Sequence, residues 1–226
     1  MKKIVILSGA GMSAESGIST FRDAGGLWEG HDIMEVASPE GWRKNPELVT
    51  EFYNKRREQL AEVEPNAGHQ ALKILEKHNE VFIITQNVDD LHERAGSTNI
   101  IHLHGELTKM RSSKTETDIY EVGYKAMPYG AVCNQGSLLR PHIVWFGEAV
   151  PMIEKAVEIV MEADVLIIVG TSLEVYPAAG LMHYAPTDCP IYLIDPNRHQ
   201  NLNNTRVELI RDTAANALPK LIQNWL

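Results

Sequence analysis

Small and hydroxyl-bearing residues follow the first apolar run of the chain, residues 4–7. Gly9, Gly11 and Ala14 are spaced as Gly-x-Gly-x-x-Ala. In dinucleotide-binding folds this spacing lets the backbone turn tightly and approach a pyrophosphate, and the third small residue allows close packing. Ser13 is placed to cap a helix whose amides would face the phosphates. The stretch predicts a nucleotide cradle, although alone it also fits an ordinary glycine-rich turn.

The next segment departs from the dehydrogenase pattern. A nicotinamide dehydrogenase continues through a full helix into a second strand whose acidic end grips the adenosine ribose. Here residues 21–28, FRDAGGLW, intervene. They indicate a loop over the cofactor, with Arg22 for the pyrophosphate charge and Phe21 for shielding a reactive centre from water. Hydride transfer is therefore disfavoured.

Three further apolar runs end in polar residues. The carboxyl ends of parallel strands lie at one edge of a sheet, so these residues are expected to meet in a cleft that binds ribose hydroxyls and an amide and moves a proton. Plainer interpretations exist: Asn and Asp form turns, Gly-Thr-Ser is a common loop, and a lone histidine is usually a packing residue, which is the interpretation kept for His102. The clusters are Gln86-Asn87-Val88-Asp89, His102-Leu103-His104-Gly105 and Gly170-Thr171-Ser172.

The elements that must position these residues follow from the apolar pattern. Short runs rich in Ile and Val, nearly continuous instead of alternating, are separated by helix-like stretches, which is typical of a parallel sheet covered on both faces. The predicted fold class is α/β, with a Rossmann-like doubly wound sheet. Strands are predicted at 4–7, 81–85, 100–103, 143–146, 165–169 and 191–194, and helices at 46–63, 66–78, 151–162 and 214–226.

Two stretches interrupt the alternation of strand and helix. Residues 24–61 and 106–141 are predicted as insertions that form a smaller lobe beside the sheet. The Rossmann-like domain would then comprise residues 1–23, 62–105 and 142–226, with a cofactor in the crevice between the lobes.

Composition excludes several classes of protein. The chain has 226 residues, of which 44% are apolar, and a net charge of −9; it can bury one large core, and a general nucleic-acid binder with a basic stripe is disfavoured. No apolar run reaches the length of a membrane span and the N-terminus does not resemble a signal peptide, so we expect a cytoplasmic protein. Cys133 and Cys189 lie far apart, which indicates neither a disulfide framework nor a cysteine-built zinc site.

With these motifs in view, the sequence resembles the sirtuin (Sir2) family of NAD-dependent protein-lysine deacylases over essentially its full length. The resemblance implies NAD as cofactor and acyl-lysine proteins or peptides as substrates. From charge and composition we expect no nucleic-acid or membrane partner, and we expect a monomer. Six blocks match in order: GAGMSAESGISTFR at 9–22, TQNVDDLH at 85–92, HLHG at 102–105, VWFGE at 144–148, GTS at 170–172 and IDPN at 194–197.

The resemblance also implies catalytic roles. His104 would be the general base, because an imidazole with a pKa near ~6.5 suits removal of a proton from a ribose hydroxyl. Asn87 and Asp89 would hold the nicotinamide amide, and Gln86 the adjoining ribose. In the family mechanism the acyl oxygen attacks the ribose carbon as nicotinamide leaves, giving free lysine, nicotinamide and O-acyl-ADP-ribose. The implied cofactor contacts are Gly9, Ala10, Gly11, Ser13, Ala14, Gly17, Ile18, Phe21, Arg22, Trp28, Gln86, Asn87, Val88, Asp89, Gly170, Thr171, Ser172, Asn197 and Ala214.

A substrate peptide would add as an extended strand between two segments, an arrangement that tolerates varied sequences. A core aromatic is the alternative interpretation of Phe146. The segments are 173–175 and 144–148, the latter with the implied contacts Val144, Phe146, Gly147 and Glu148.

The acyl pocket is predicted from two residues on one helix. Tyr53 and Arg56 stand three apart and so share a face, which on a charged helix is usually solvated. With small Ala37 upstream, they resemble the sirtuin class whose acyl pocket contains a Tyr and an Arg. A guanidinium beside a phenol would clamp a terminal carboxylate. We therefore predict desuccinylase and demalonylase activity alongside deacetylase activity.

The segment after His104-Gly105 departs from the family pattern. Most sirtuins carry four zinc cysteines there, whereas residues 106–141 contain only Cys133. No zinc is therefore expected. The lobe would instead be held by packing of Ile119, Tyr120, Val122, Tyr124, Met127 and Tyr129.

Two other functions remain compatible with the sequence. A mono-ADP-ribosyltransferase would use the same cofactor but attack the ribose carbon with a side-chain nucleophile. A non-catalytic NAD or ADP-ribose binding module would bind without turnover, against which the catalytic residues argue.

Overall fold

The computed structural model of the chain describes residues 1–19, 27–28, 30–197 and 206–226. Within these residues, no helix combines the length and apolar character needed to cross a membrane. The strands are β1 Lys3–Ser8, β2 Leu27–Trp28, β3 His31–Asp32, β4 Glu80–Thr85, β5 Ile100–His102, β6 Gly105–Ser112, β7 Ile119–Glu121, β8 Leu139–Ile143, β9 Val165–Val169, β10 Ile191–Ile194 and β11 Val207–Ile210. The α-helices are α1 Ile33–Val36, α2 Pro39–Lys44, α3 Pro46–Glu62, α4 Ala67–Leu75, α5 Leu91–Arg94, α6 Ile153–Met161 and α7 Ala214–Leu221. Short 3₁₀ helices span Ala10–Met12, Ala14–Ser16, Ala178–Tyr184 and Ile222–Trp225.

Six parallel strands form the main sheet, in the order β11-β10-β9-β1-β4-β5. Alternate residues of β1 pack on opposite faces: Ile4 and Ile6 against α4 and α7, Val5 and Leu7 against α6 and the 178–184 helix. Strands covered on both faces bury every residue, which is why the apolar runs are continuous. The fold-class prediction of a Rossmann-like parallel sheet is confirmed, and its topological switch point lies between β1 and β9.

Helix starts are set by side-chain caps. The Asn45 side chain accepts a hydrogen bond from the Leu48 amide at 3.1 Å, and Pro46 occupies the first turn of α3. Asn66 caps α4 in a capping box with His69. Both starts agree with the predicted helices, whereas α4 ends three residues before the predicted residue 78.

The prediction that residues 143–146 form a strand of the main sheet is wrong. The observed strand is β8, Leu139–Ile143, and it pairs antiparallel with β6 in a separate sheet of order β7-β6-β8. Residues 144–146 have left the strand and lie on a cavity wall. An apolar run predicts burial, but it does not identify the surface against which the side chains pack.

The three-stranded sheet has its own small apolar cluster. Met110, Cys133 and Leu139 form its centre. Of the residues predicted to pack there, Tyr120, Val122 and Met127 do, whereas the prediction is wrong for Ile119, Tyr124 and Tyr129, which are exposed. The bounds of the two lobes stay a prediction.

Candidate active site

A cavity of about 650 Å³ lies along the carboxyl ends of the main sheet. Strand register assembles it: Ser8 of β1 pairs with Thr85 of β4 on one side and with Val169 of β9 on the other. The loops that start at Gly9, Gln86 and Gly170 therefore leave the sheet side by side. The volume is in the usual range for small-molecule sites, and the position is the switch point where open α/β sheets bind ligands.

The first two glycines are required by the packing of two loops. The amides of Gly9 and Gly11 donate to the carbonyls of Val169 at 3.0 Å and Gly170 at 2.8 Å. A Cβ on Gly11 would lie 2.7 Å from Gly170 Cα, and one on Gly9 would lie 2.7 Å from Thr171 Cβ. Only glycine lets the loops after β1 and β9 approach this closely.

The prediction of Ser13 as a helix cap is wrong. Instead of a regular helix, two 3₁₀ turns follow Gly9, and Ser13 makes no side-chain capping bond in either. Its hydroxyl instead donates to Oδ2 of Asp89 at 2.9 Å and accepts from Nδ2 of Asn87 at 3.1 Å. Ser13 thus links the two residues predicted to bind an amide.

Asp89 is buried at the centre of this network. Its Oδ1 also accepts from the Leu91 amide at 3.2 Å. Desolvation by burial nevertheless raises the pKa of Asp89 to about 6, with the bonds from Ser13 and Leu91 opposing the rise. The carboxyl group is therefore much closer to neutrality than an exposed aspartate.

His104 is held in one tautomer by the backbone. Its Nδ1 lies 3.0 Å from the carbonyl oxygen of Gln86, which can only accept, so Nδ1 carries the proton and Nε2 is the unprotonated acceptor. Burial lowers the pKa of His104, although the Gln86 carbonyl opposes the shift. A neutral imidazole with an available lone pair is the state that a general base needs.

His102 differs from His104 because both of its ring nitrogens have hydrogen-bond partners in the protein, as expected for a packing residue. Its two ring nitrogens face acceptors, the Asn87 carbonyl at 3.1 Å and the Glu93 carboxylate at 2.8 Å. Burial alone would lower the pKa of His102, but the hydrogen bond and charge of Glu93 outweigh it and raise that pKa. His102 is an ion-paired structural residue.

The loops after β4 and β9 are joined inside the cavity. Gln86 Nε2 donates to the hydroxyl of Thr171 at 3.2 Å, and that oxygen also accepts from the Leu173 amide at 3.3 Å. Ser172 lies on the same wall. This corner presents hydroxyl and amide groups of the kind that bind ribose and phosphate.

The opposite end of the cavity is lined by α3. Tyr53 is 0% exposed and Arg56, three residues further along the helix, also lines the cavity, so the solvated-surface interpretation does not hold. The indole Nε1 of Trp145 donates to the Tyr53 hydroxyl at 3.1 Å. Burial raises the pKa of Tyr53 above its ordinary range, so the phenol stays neutral. Ala37 lines the same end, where its small side chain leaves room.

The 144–148 segment is anchored through Glu148. That carboxylate accepts from Arg140 Nη1 at 2.6 Å and from the Trp145 amide at 2.8 Å. Burial would raise the pKa of Glu148, but the Arg140 bond and charge lower it overall. Phe146 is 42% exposed on the cavity wall and is not a core aromatic.

Most of the predicted contact residues line this one cavity. Among the described residues of the predicted set, only Gly17 does not line the cavity. Phe21 and Arg22 lie outside the described residues. The predicted residues that line the cavity are Gly9, Ala10, Gly11, Ser13, Ala14, Ile18, Trp28, Tyr53, Arg56, Gln86, Asn87, Val88, Asp89, His104, Val144, Phe146, Gly147, Glu148, Gly170, Thr171, Ser172, Asn197 and Ala214.

Sequence reasoning missed several lining residues. Trp145 was within a quoted motif and Glu15 within another, so the signal was present but not assigned to a contact. Leu107 and Thr213 had no such signal, because each resembles an ordinary strand or loop residue. All four line the cavity. Across the described ranges, no group of three or more His, Cys, Asp or Glu side chains is arranged to hold a metal ion.

Comparisons with known proteins identify the family of the chain. The model of the Sir2 family matches residues 9–177. A Helicobacter pylori protein named NAD-dependent protein deacylase is 58% identical over 227 residues, which cover 99% of each chain. A solved Sir2 homologue in complex with NAD matches with a TM-score of 0.89 at 41% identity, over 99% of this chain and 89% of that one. A Sir2 structure bound to an acetylated peptide matches with a TM-score of 0.82 at 26% identity, over 98% and 92% of the two chains. The chain belongs to the Sir2 family.

Proposed function

We propose that this chain is an NAD-dependent protein-lysine deacylase that releases nicotinamide and O-acyl-ADP-ribose. The observation that carries the proposal is a neutral, oriented His104 in the same cavity as the linked Ser13, Asn87 and Asp89. The names of the Helicobacter pylori relative and of the NAD-bound and peptide-bound Sir2 structures support it.

The cavity residues fit a dinucleotide. The glycine loop after β1 lies at the switch point, and Gln86, Thr171 and Ser172 offer polar groups beside it. Thr213 adds an observation independent of the motifs: its buried hydroxyl oxygen lies on a cavity-lining residue and has no hydrogen-bond partner within the described part of the chain. Buried polar atoms are normally satisfied, so a ligand hydroxyl or ring nitrogen is the expected partner. When bound, NAD supplies the ribose carbon that receives the acyl oxygen while nicotinamide leaves.

Different residues of the chain act on the ribose and on the nicotinamide amide. Nε2 of His104 removes a proton from a ribose hydroxyl, because Nδ1 is committed to Gln86. One N–H of Asn87 Nδ2 donates to Ser13, which fixes the orientation of the side-chain amide and leaves Oδ1 to accept from a carboxamide. Asp89 accepts from the second N–H of that amide, and Ser13 holds the orientation of both side chains.

We also propose that the acyl range includes succinyl-lysine and malonyl-lysine. Arg56 and the neutral Tyr53 lie on one wall at the α3 end of the cavity, where a guanidinium and a phenol can bind a terminal carboxylate. Acetyl-lysine presents no such carboxylate, so deacetylation would use the same catalytic residues without this clamp.

One experiment tests the activity and its range. Purified protein is incubated with NAD and with acetyl-, succinyl- or malonyl-lysine peptides of one sequence, and nicotinamide and acylated ADP-ribose are measured together. Equal amounts of both products are expected, and none without NAD or with unmodified peptide. Acyl loss without NAD consumption would refute the proposal. A peptide that retains an ADP-ribose adduct would instead identify a mono-ADP-ribosyltransferase, and absence of both products a binding module.

A further inference from the structure

The hydrogen bond between Trp145 and Tyr53 suggests how the acyl end of the cavity recognises its ligand. We propose that Trp145 is a positioning residue for acyl selection: by occupying one side of the Tyr53 oxygen, it directs the phenolic proton at the far end of the acyl group. This inference rests on the proposed acyl range.

The direction of the hydrogen bond is fixed by chemistry. An indole N–H is only a donor, so Trp145 Nε1 donates and the Tyr53 oxygen accepts over their 3.1 Å separation. The phenolic proton is not used in this bond. Within the described residues, no other protein group makes a hydrogen bond with the Tyr53 hydroxyl. Since Tyr53 lines the cavity, its proton is left for a ligand acceptor.

Trp145 is immobilised, so the direction it imposes is fixed. The guanidinium carbon of Arg140 lies 3.4 Å from the indole centroid, and Arg140 Nη2 also donates to the Ile143 carbonyl at 2.9 Å. Glu148 accepts from both Arg140 and the Trp145 amide, so one ion pair holds the ring and the backbone together. Trp145 is 2% exposed.

Arg56 and Tyr53 would therefore make different contributions to acyl recognition. Arg56 supplies charge from the cavity wall, while Tyr53 supplies one directed donor. A distal carboxylate accepts from both, whereas the methyl group of acetyl-lysine accepts from neither. Loss of the indole N–H should therefore lower activity on the succinyl substrate more than activity on the acetyl substrate.

A double-mutant cycle tests this. Trp145→Phe, Tyr53→Phe and the double variant are compared by kcat/KM and KM for succinyl- and acetyl-lysine peptides. Trp145→Phe is expected to lower the succinyl-to-acetyl ratio of kcat/KM about tenfold, mainly through the KM for the succinyl peptide. The double variant should be no lower than Tyr53→Phe alone, because Trp145 acts through the hydroxyl. Trp42→Phe is the matched control: its ring lies 5.7 Å from that of Trp145, and the ratio should stay unchanged.

The outcomes separate this inference from the function on which it rests. Additive losses in the double variant, or an equal loss with both peptides, would overturn the role of Trp145 alone. A wild-type protein that deacetylates but does not desuccinylate would overturn the acyl range and this inference with it. If Trp145→Phe fails to fold, benzothienylalanine at position 145 keeps the ring shape without the N–H. The same fall in the ratio is then expected, and an unchanged ratio would overturn the inference.

Discussion

The hydroxyl of Ser13 donates a hydrogen bond to Oδ2 of Asp89 at 2.9 Å, between two residues 76 positions apart in the sequence. Burial raises the pKa of Asp89 to about 6, although this bond and the one from the Leu91 amide stabilise the carboxylate. The free protein therefore holds an acidic group whose ionisation opposes folding at neutral pH.

Replacing Asp89 by Asn should stabilise the free protein at neutral pH. Because the folded-state pKa lies above the ordinary value of 3.8, the favourable contribution of Asp89 is full below pH 3.8 and is lost as the pH rises through about 6. Urea unfolding of Asp89→Asn should give a free energy of unfolding up to about 3 kcal/mol above wild type at pH 8. Near pH 4 the difference should disappear.

The control for this prediction is Asp188→Asn, which removes an equal charge from an exposed site. It should change the free energy of unfolding by less than about 0.5 kcal/mol at either pH. A pH-independent difference between Asp89→Asn and wild type would contradict the prediction. Nicotinamide release should fall in Asp89→Asn, since the same carboxyl group is proposed to bind the leaving amide.

The buried strands could be predicted almost to the residue from sequence. Residues 165–169 and 191–194 are continuous apolar runs, and they coincide with β9 and β10 because both faces of these strands are covered by helices. The clustering of Gln86, Asn87 and His104 also followed, since strand ends in a parallel sheet share one edge.

The rest of the fold and of the site depends on contacts between residues far apart in the sequence, which the sequence pattern does not show. Ser13 was predicted as a cap from its position after two glycines, but its partner Asp89 comes from another strand end. The run 143–146 is apolar because it forms a cavity wall, which composition does not distinguish from a strand. Trp145 gains its role only from the fold, which brings it to Tyr53, 92 residues away in the sequence.

His104 should set the acidic limb of the pH profile of kcat/KM. Its neutral form is the proposed base, and burial lowers its pKa, so activity should rise with pH and level off below the usual histidine range of about 6.5. Asp89, whose pKa is about 6, contributes to the same limb. His104→Ala should reduce kcat about 10²- to 10⁴-fold. His102→Gln is the control, because the pKa of His102 is raised and its loss should leave the limb in place. A limb above pH 7 that moves in His102→Gln would contradict the assignment.

Arg56→Met should separate the acyl substrates. The guanidinium offers a charge-assisted bond to a distal carboxylate, so its loss should lower the succinyl-to-acetyl ratio of kcat/KM by about 10- to 100-fold. Lys55→Met is the matched control, since Lys55 is exposed on the same helix and pairs with Glu51 at 3.2 Å. Steady-state kinetics with both peptides measure the ratio. Equal losses with the two substrates would remove Arg56 from acyl recognition.

The purified protein should contain no stoichiometric zinc. Residues 106–141 contain a single cysteine, Cys133, whose buried sulfur lies 3.8 Å from the Ser112 hydroxyl. Structural zinc sites use four ligands, and removing the ion unfolds the region that it holds. A chelator should therefore leave both the melting temperature and deacylation unchanged. Metal analysis that finds one zinc per chain would contradict this expectation.

Arg57 should be a main stabilising contact between α3 and the three-stranded sheet. It is fully buried and donates to the Leu107 carbonyl at 2.7 Å, to Asn54 Oδ1 at 2.6 Å and to the sulfur of Met110 at 2.8 Å. Asn54 also donates to the Met127 carbonyl at 2.8 Å and accepts from its amide at 2.9 Å. The network thus joins one helix to two segments of the 106–141 region, and burial lowers the pKa of Arg57 only to about 10, which leaves it charged at neutral pH.

Arg57→Met should lower the free energy of unfolding by about 2 to 4 kcal/mol, because two buried oxygens lose a charged donor while the relief of charge burial offsets only part of that cost. Arg43→Met, which alters an exposed arginine, should cost less than about 0.5 kcal/mol. Urea unfolding at pH 7 measures both variants. The contact would not be a main stabiliser if Arg57→Met unfolded at the same urea concentration as Arg43→Met, since the two variants remove the same charge and differ in what the guanidinium contacts.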